Sequence, residues 1–439
     1  DAAEFALAAG ALRRTMPHMN TRKNLMLLAI VALLGARPAP AAEPVADTNA
    51  AWFAEHYTKF EHRIPMRDGV RLFTRVYVPK DDAQPWPIML TRTPYALKPY
   101  GAENYTSPTG TFRTLARDRF ILVTQDVRGR YGSEGTYVHV RPFNPRKGPQ
   151  DTDESSDAWD TIDWLVKHVA NNNGKVGMFG ISYPGFYTAM GMIDSHPALK
   201  AASPQAPVTD WFIGDDLHHN GAFFLSQNFD FFYRFAQRAE DPLHDDLKSF
   251  NFKTPDAYDF FLRMGPLGNS ETRLLKGRSP EWKEFLAHPT YDAFWQARNI
   301  RPHLKNVRCA VMTVGGWFDA EDLAGPFRTF HSIGARNPGT VNQIALGPWV
   351  HGGWARSDGD RLGAEASGGE RFESSRNCGE VRRRGGDGSG LRHVAASCRS
   401  AGDRRDRERR SGPRLHLLPH RRGDRLARSV RVLAEHGIH

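Results

Sequence analysis

Five short apolar runs punctuate the chain, at residues 87–90 (PIML), 120–124 (FILVT), 175–180 (KVGMFG), 310–314 (AVMTV) and 343–346 (QIAL). Runs this short without polar alternation are the pattern of strands covered on both faces, as in a largely parallel sheet. Between the second and third, Trp159, Ile162, Val166 and Val169 recur at helical spacing, which predicts an amphipathic helix over 153–169. Asn171, Asn172, Asn173 and Gly174 supply the turn that follows. Alternating strand and helix argues for an α/β fold with a mostly parallel sheet. From 210 to 299 the alternation stops, and aromatic-rich helical stretches such as 223–235 and 257–264 read as a helical insertion. No internal repeat interrupts this order.

Composition divides the chain into segments. The 439 residues, 25% charged and 40% hydrophobic, suit a soluble globular protein with a large core. The net charge of +10 suggests a nucleic-acid partner until its location is known. Residues 361–439 hold 19 arginines, no lysine and 10 acidic residues, which accounts for +9 of it. That stretch has a single aromatic, Phe372, so it cannot offset the entropy of ordering itself and is expected to be disordered. Arginine without lysine beside abundant glycine and alanine is the composition of a GC-rich coding sequence read out of frame, and a basic nucleic-acid-binding tail is the rival reading. At the other end, Met16 or Met19 is a plausible start, followed by Arg22 and Lys23, the apolar stretch 25–34 and the small-x-small site Ala39-Pro40-Ala41. This is the pattern of a secretory signal, too short to span a membrane, and it predicts a secreted or periplasmic protein. The three cysteines imply no disulfide framework. The expected organisation is therefore an extension with signal over 1–42, a core in two parts at 43–209 and 300–362, an insertion at 210–299, and the arginine-rich tail at 363–439.

The strongest chemical signal is Gly180-Ile181-Ser182-Tyr183-Pro184-Gly185, between a predicted strand and a predicted helix. A serine on such a sharp turn is pushed out of the sheet with its Oγ at a helix N-terminus, which makes Ser182 the candidate nucleophile. A serine hydroxyl needs a base, and the base needs a carboxylate to orient it. Asp319 follows the AVMTV run and His351 follows the QIAL run, so nucleophile, acid and base stand in the chain order of an α/β-hydrolase.

Several separated motifs extend the similarity. Arg92-Thr93-Pro94-Tyr95, the run DVRGRYGSEG at 126–135, the GISYPG turn and GPWVHGGW at 347–354 resemble the cocaine-esterase and X-Pro dipeptidyl-peptidase superfamily of α/β-hydrolases. Within it the chain is most similar to the α-amino-acid ester hydrolases. That resemblance implies an α/β-hydrolase fold with a helical cap and a secreted serine hydrolase acting on small substrates with a free α-amino group. Such an enzyme cleaves α-amino-acid esters and the side-chain amides of aminopenicillins and cephalosporins through an acyl-enzyme. It implies Ser182, Asp319 and His351 as the triad, the Tyr183 main-chain N–H and the Tyr95 hydroxyl as oxyanion donors, and Asp216, Glu321 and Asp322 as a carboxylate cluster for the substrate ammonium. Asp216 rather than Asp215 is chosen by family spacing alone. No metal or cofactor is expected, because the triad accounts for the chemistry without a site at His218 and His219. A homo-oligomer, often a tetramer, is implied by the family only. The family's C-terminal jelly-roll domain has no counterpart after about Gly363, so weak or absent activity is expected of this chain. A general esterase or an X-Pro dipeptidyl-peptidase of the same superfamily is the alternative activity.

Overall fold

The computed structural model describes residues 48–355, apart from Ser107, Thr109, Asn220 and 237–247, together with the backbone of Arg414–Leu417. The chain divides into Asp1–Thr48 and Asn49–His439, and the elements below belong to the second unit. The signal-like segment and almost all of the arginine-rich stretch lie outside the described residues. Among the described residues no helix is long and apolar enough to cross a membrane.

The sheet is built from β1 (Tyr57–Pro65), β2 (Arg71–Pro79), β3 (Trp86–Thr93), β4 (Ile121–Asp126), β5 (Asn172–Ile181), β6 (Leu199–Gln205), β9 (Ala310–Gly316), β10 (Asn342–Gly347) and β11 (Arg414–Leu417). Their order is β1-β2-β4-β3-β5-β6-β9-β10-β11, with antiparallel pairing at β1–β2 and β2–β4 and parallel pairing from β4 onward. All five apolar runs give strands of this sheet, each extended by one to three residues at one or both ends, except that Phe120 of the second run falls just before β4. In β3, Ile88, Met89 and Leu90 are fully buried, as a strand covered on both faces requires. Four residues of the arginine-rich stretch depart from the expected disorder: Arg414–Leu417 pairs with β10 in parallel.

Helices α1 (Gly110–Arg117), α2 (Glu154–His168), α3 (Tyr183–Gly191) and α8 (Ala324–Arg336) cover the sheet. In α2 the Asp153 carboxylate accepts from Ser156 N while the Ser156 hydroxyl lies 2.8 Å from Asp153 N, a reciprocal cap. Its buried face is Ala158, Ile162 and Leu165, whereas Trp159 is 36% exposed and packs edge-on against His196. The predicted helix is correct in extent, and Ile162 and Val169 of its apolar stripe are buried; the buried face also takes in Glu154 and Asp157, paired with Arg92 and Arg128, and leaves Trp159 at its edge.

Between β6 and β9 lies the insertion: the hairpin β7 (His218–His219) and β8 (Ala222–Phe223), then α4 (Leu225–Ala236), α5 (Ala257–Met264), α6 (Pro280–Leu286) and α7 (Ala293–Arg298). Phe223 thus belongs to the hairpin, and the helix predicted over 223–235 starts at Leu225. The aromatic residues that marked this region form its interior, with Phe229, Phe232, Trp282, Phe285 and Trp295 all buried and in ring contact.

Candidate active site

The turn from β5 into α3 holds Ser182 at φ 65°, ψ −124°, a strained left-handed position for a residue with a side chain. Glycines on either side make that turn possible. A Cβ at Gly180 would lie 2.3 Å from Pro184 O, and one at Gly185 would lie 2.5 Å from Gln205 O. Ser182 N donates to Gln205 O at 2.9 Å, which fastens the turn to β6. The Ser182 hydroxyl caps nothing in α3, so it is available for other chemistry.

The candidate acid and base, Asp319 and His351, stand on two loops laced together after β9 and β10. Trp317 N donates to Gly347 O at 2.9 Å and Phe318 N to Trp349 O at 3.0 Å. Asp319 is 4% exposed, and its Oδ1 accepts from Glu321 N and Asp322 N, each at 2.9 Å. Its Oδ2 lies 2.9 Å from His351 Nδ1. An ionised carboxylate cannot donate, so Nδ1 carries the hydrogen and Nε2 presents a lone pair when the ring is neutral. Burial works against a charged ring, but the Asp319 bond and the charges of Glu321, Asp319 and Asp216 outweigh it and raise the pKa of His351. For Asp319, burial works upward, yet the His351 bond leads the opposing interactions that hold its carboxyl below the usual range. The two shifts agree in describing an ion pair when the ring is protonated.

His351 reaches the serine end of the sheet: a Cβ on its neighbour Gly352 would lie 3.7 Å from Ile181 Cγ2. Nε2 is 3.6 Å from Glu321 Oε2, and among the described residues no hydrogen bond joins it to Ser182. Such bonds are often long without substrate and tighten when it binds.

The acids form one group around the ring. Asp322 is fully buried, and neither of its carboxylate oxygens has a partner. Burial, followed by the charges of Asp216 and Asp215, pushes its pKa well above the ordinary value. Burial and then repulsion from Glu321 raise Asp216 to about 7. Its backbone is held at φ 25°, with its carbonyl accepting from Asn228 Nδ2 of α4 at 3.0 Å. Asp215 has a different task. Its carboxylate accepts from Gly325 N at 2.6 Å and from Thr209 N at 3.2 Å, tying the start of α8 to the exit of β6. Asp215 is thus occupied by main-chain donors, whereas Asp216 feels the charges of Glu321 and His351. His218 stacks on Phe212 at 4.1 Å, and burial lowers its pKa to about 4, whereas His219 Nε2 sits 3.2 Å from Glu321 O.

Two tyrosines, Tyr183 next to the serine and Tyr95, meet at Phe235. Tyr183 opens α3, where main-chain N–H groups have no helical acceptor. Its phenol oxygen accepts from Tyr137 OH and Val140 N, each at 2.8 Å, which leaves its own hydrogen for His139 Nδ1 at 3.1 Å. Tyr95 is 38% exposed, yet desolvation first, then the charges of Asp216, Tyr183 and Glu321, raise its phenol. Phe235 of the insertion touches both rings, at 6.3 Å from Tyr95 and 6.4 Å from Tyr183. Beside it the Arg130 guanidinium lies 3.9 Å from the Phe235 centroid and donates through Nε to Pro94 O at 3.0 Å.

Residues 68–353 match the family described as X-Pro dipeptidyl-peptidase (S15 family). The chain belongs to this family. It is 27% identical over 310 residues to the cocaine esterase of Rhodococcus sp. (strain MB1 Bresler), covering 68% of this chain and 50% of that protein. Among solved structures it is similar to an aminopeptidase from a marine sediment archaeon, Thaumarchaeota archaeon (36% identity, TM-score 0.62), and to an α-amino acid ester hydrolase (35% identity, TM-score 0.62). Each of those two alignments covers 73% of this chain and 52% of the other. The chain thus spans about half the length of the relatives it matches, and its fold is that of an α/β-hydrolase. In this S15 chain, His139, Arg130 and Phe235 are site neighbours that sequence reasoning missed. Arg130 lies in the DVRGRYGSEG run and Phe235 in the aromatic-rich stretch 223–235, but neither pattern marks them as site residues; the packing of the insertion on the sheet brings them, with His139, to the two tyrosines.

Proposed function

We propose that this S15-family chain is a serine hydrolase that takes α-amino acyl groups, from esters and amides, through an acyl-enzyme on Ser182. Asp322 carries the reading: a fully buried carboxylate with both oxygens unpartnered lies beside an imidazole oriented by Asp319. Burying an unpaired charge is costly, so the site is matched to a ligand that brings a cation. An ammonium bound among these acids, of which Glu321 Oε2 lies 3.6 Å from the base, belongs to the acyl residue itself, one carbon from the carbonyl under attack. An X-Pro dipeptide would hold its amine a full residue further away. The similarity to both an α-amino acid ester hydrolase and an aminopeptidase supports the same substrate chemistry. Aminopenicillin and cephalosporin side-chain amides carry such a group as well.

In this mechanism His351 Nε2 takes the Ser182 proton as Oγ adds to the carbonyl carbon. The oxyanion is met by the Tyr183 N–H and the Tyr95 hydroxyl, one such donor contributing about 3 kcal/mol in the transition state. The protonated ring then gives its proton to the leaving oxygen or nitrogen, and water repeats the sequence to release the acid. The signal-like segment favours export to the periplasm or beyond.

A fluorophosphonate probe needs only an activated serine, which suits a chain that spans half its relatives' length. Mass spectrometry should place the adduct on Ser182, and His351→Ala should abolish it. Hydrolysis of phenylglycine methyl ester should exceed that of the phenylacetate ester by more than about tenfold, the worth of one charge-assisted hydrogen bond. Labelling elsewhere would remove the nucleophile assignment, and equal rates would remove the amine specificity.

A further inference from the structure

We propose that Glu321, Asp322 and His351 form an inhibitory binding site for Zn²⁺ and similar borderline transition-metal ions. One ligand atom from each lies within 4.8 Å of the others, and the Glu321 Oε2 to His351 Nε2 separation is 3.6 Å. Tetrahedral zinc with bonds of about 2.0–2.2 Å holds its ligands about 3.4 Å apart, so closing onto an ion takes shifts of about 1 Å at the side-chain ends. Two further features favour metal over a mere crowd of acids. Both oxygens of the fully buried Asp322 lack any partner, although one of them lies within this group. In addition, Asp319 accepts from His351 Nδ1 and so turns the Nε2 lone pair outward, the carboxylate–histidine arrangement that orients imidazole ligands on zinc. The same Asp319 carboxylate accepts from the main-chain N–H groups of Glu321 and Asp322, so one residue positions all three ligands.

The donor set decides which ions bind. One imidazole nitrogen and two carboxylates, with water completing the shell, suit Zn²⁺, Co²⁺ or Cu²⁺, whereas Ca²⁺ and Mg²⁺ need more oxygen ligands than these side chains supply. A metal bound here occupies the lone pair that would receive the serine proton and fills the place proposed for the substrate ammonium. Inhibition is therefore competitive with α-amino esters. This consequence rests on the proposed function, but the binding itself does not.

The full chain, stripped with a chelator, is titrated with Co²⁺ while its visible absorption is recorded, and with Zn²⁺ by calorimetry. The expected result is one ion per chain at this site, intense tetrahedral Co²⁺ bands displaced by Zn²⁺, and no heat from Mg²⁺ or Ca²⁺ at the same concentration. Glu321→Gln and Asp322→Asn should each weaken binding by more than about tenfold, since even outer-sphere changes cost that much at metal sites. Absence of tetrahedral bands, or zinc affinity unchanged in both variants, overturns the proposal. Zinc binding without ester hydrolysis would defeat only the proposed function. Amino-ester hydrolysis indifferent to zinc would defeat only this site.

Discussion

Replacing Asp322 by asparagine separates stability from function. The substitution keeps the shape of a side chain that is fully buried, and removes a charge whose two oxygens have no partner. Because burial and the neighbouring acids push the folded-state pKa far above that of the unfolded chain, the group costs stability as pH rises above the unfolded value of about 4. The full cost is present once pH exceeds the folded value. Asparagine carries no such cost, so D322N should melt higher than the parent near neutral and alkaline pH, with the gap closing below about pH 4. Activity should move the other way. A hydrogen bond to a charged group contributes about 1.5–3 kcal/mol, so kcat/KM for an α-amino ester should fall about 10- to 150-fold. An ester lacking the amine should change by less than about threefold, a difference below 1 kcal/mol. Thermal unfolding across pH and initial rates on the paired esters measure both. A variant that melts lower at alkaline pH, with amino-ester kinetics intact, would show that Asp322 is an anchor of the loop and that the reasoning about an unpaired buried charge fails.

Other substitutions test neighbouring parts. In the proposed mechanism the neutral ring is the base, so activity should rise with pH through the raised pKa of His351; Glu321→Gln should shift that acid limb to lower pH, measured on the ester without an amine. An unmoved limb would mean that another group titrates. Asp215→Ala strands the N–H groups of Thr209, Asp210 and Gly325 and should lose several kcal/mol in chemical denaturation, at about 1–3 kcal/mol for each stranded donor, whereas Asp216→Ala should keep its stability and lose amine preference. Phe235→Leu removes the ring that contacts both tyrosines and should lower kcat about tenfold with KM little changed, part of the roughly 3 kcal/mol ascribed to an oxyanion donor. A change in KM alone would place Phe235 in substrate binding instead.

The frame of the candidate site was legible because strain leaves residues behind. Gly180 and Gly185 are needed where a Cβ would strike backbone, and short apolar runs are needed where a strand is covered twice. Strand β6 left no such mark, although all of it except Lys200 is buried. Its polar residues are satisfied by tertiary bonds, Ser203 Oγ donating to Met312 O at 2.9 Å and Gln205 Oε1 accepting from Trp354 Nε1 at 2.6 Å, and no hydrophobicity pattern records those partners. The wider buried face of α2 has the same origin. Arg92 and Arg128 draw Glu154 and Asp157 inward and leave Trp159 at the edge, so apolar spacing found Ile162 and Val169 of the buried stripe but not its polar members. Asp215 and Asp216 are identical in type and adjacent, and only their donors tell the anchor from the site acid.

The crowding of acids around one imidazole links recognition to catalysis. In the free site the charges of Glu321, Asp319 and Asp216 raise the ring's pKa against the pull of burial, which favours a protonated base that cannot accept the serine proton. A cation placed among Glu321, Asp216 and Asp322 offsets two of those three charges, since Asp319 remains committed to Nδ1 and to the main chain of its own turn. The ring's pKa then falls, and Nε2 becomes free to act as the base. On the proposed function a substrate amine would thereby hold the acyl group in place and release the base in one event, so an ester without the amine should lose in the chemical step as well as in binding. Proton transfer needs the Nε2 lone pair left open, which an ammonium held by the carboxylates does and a metal ion bound directly to that nitrogen does not; on the proposed function the same acids that would serve an amine substrate would also admit a metal inhibitor.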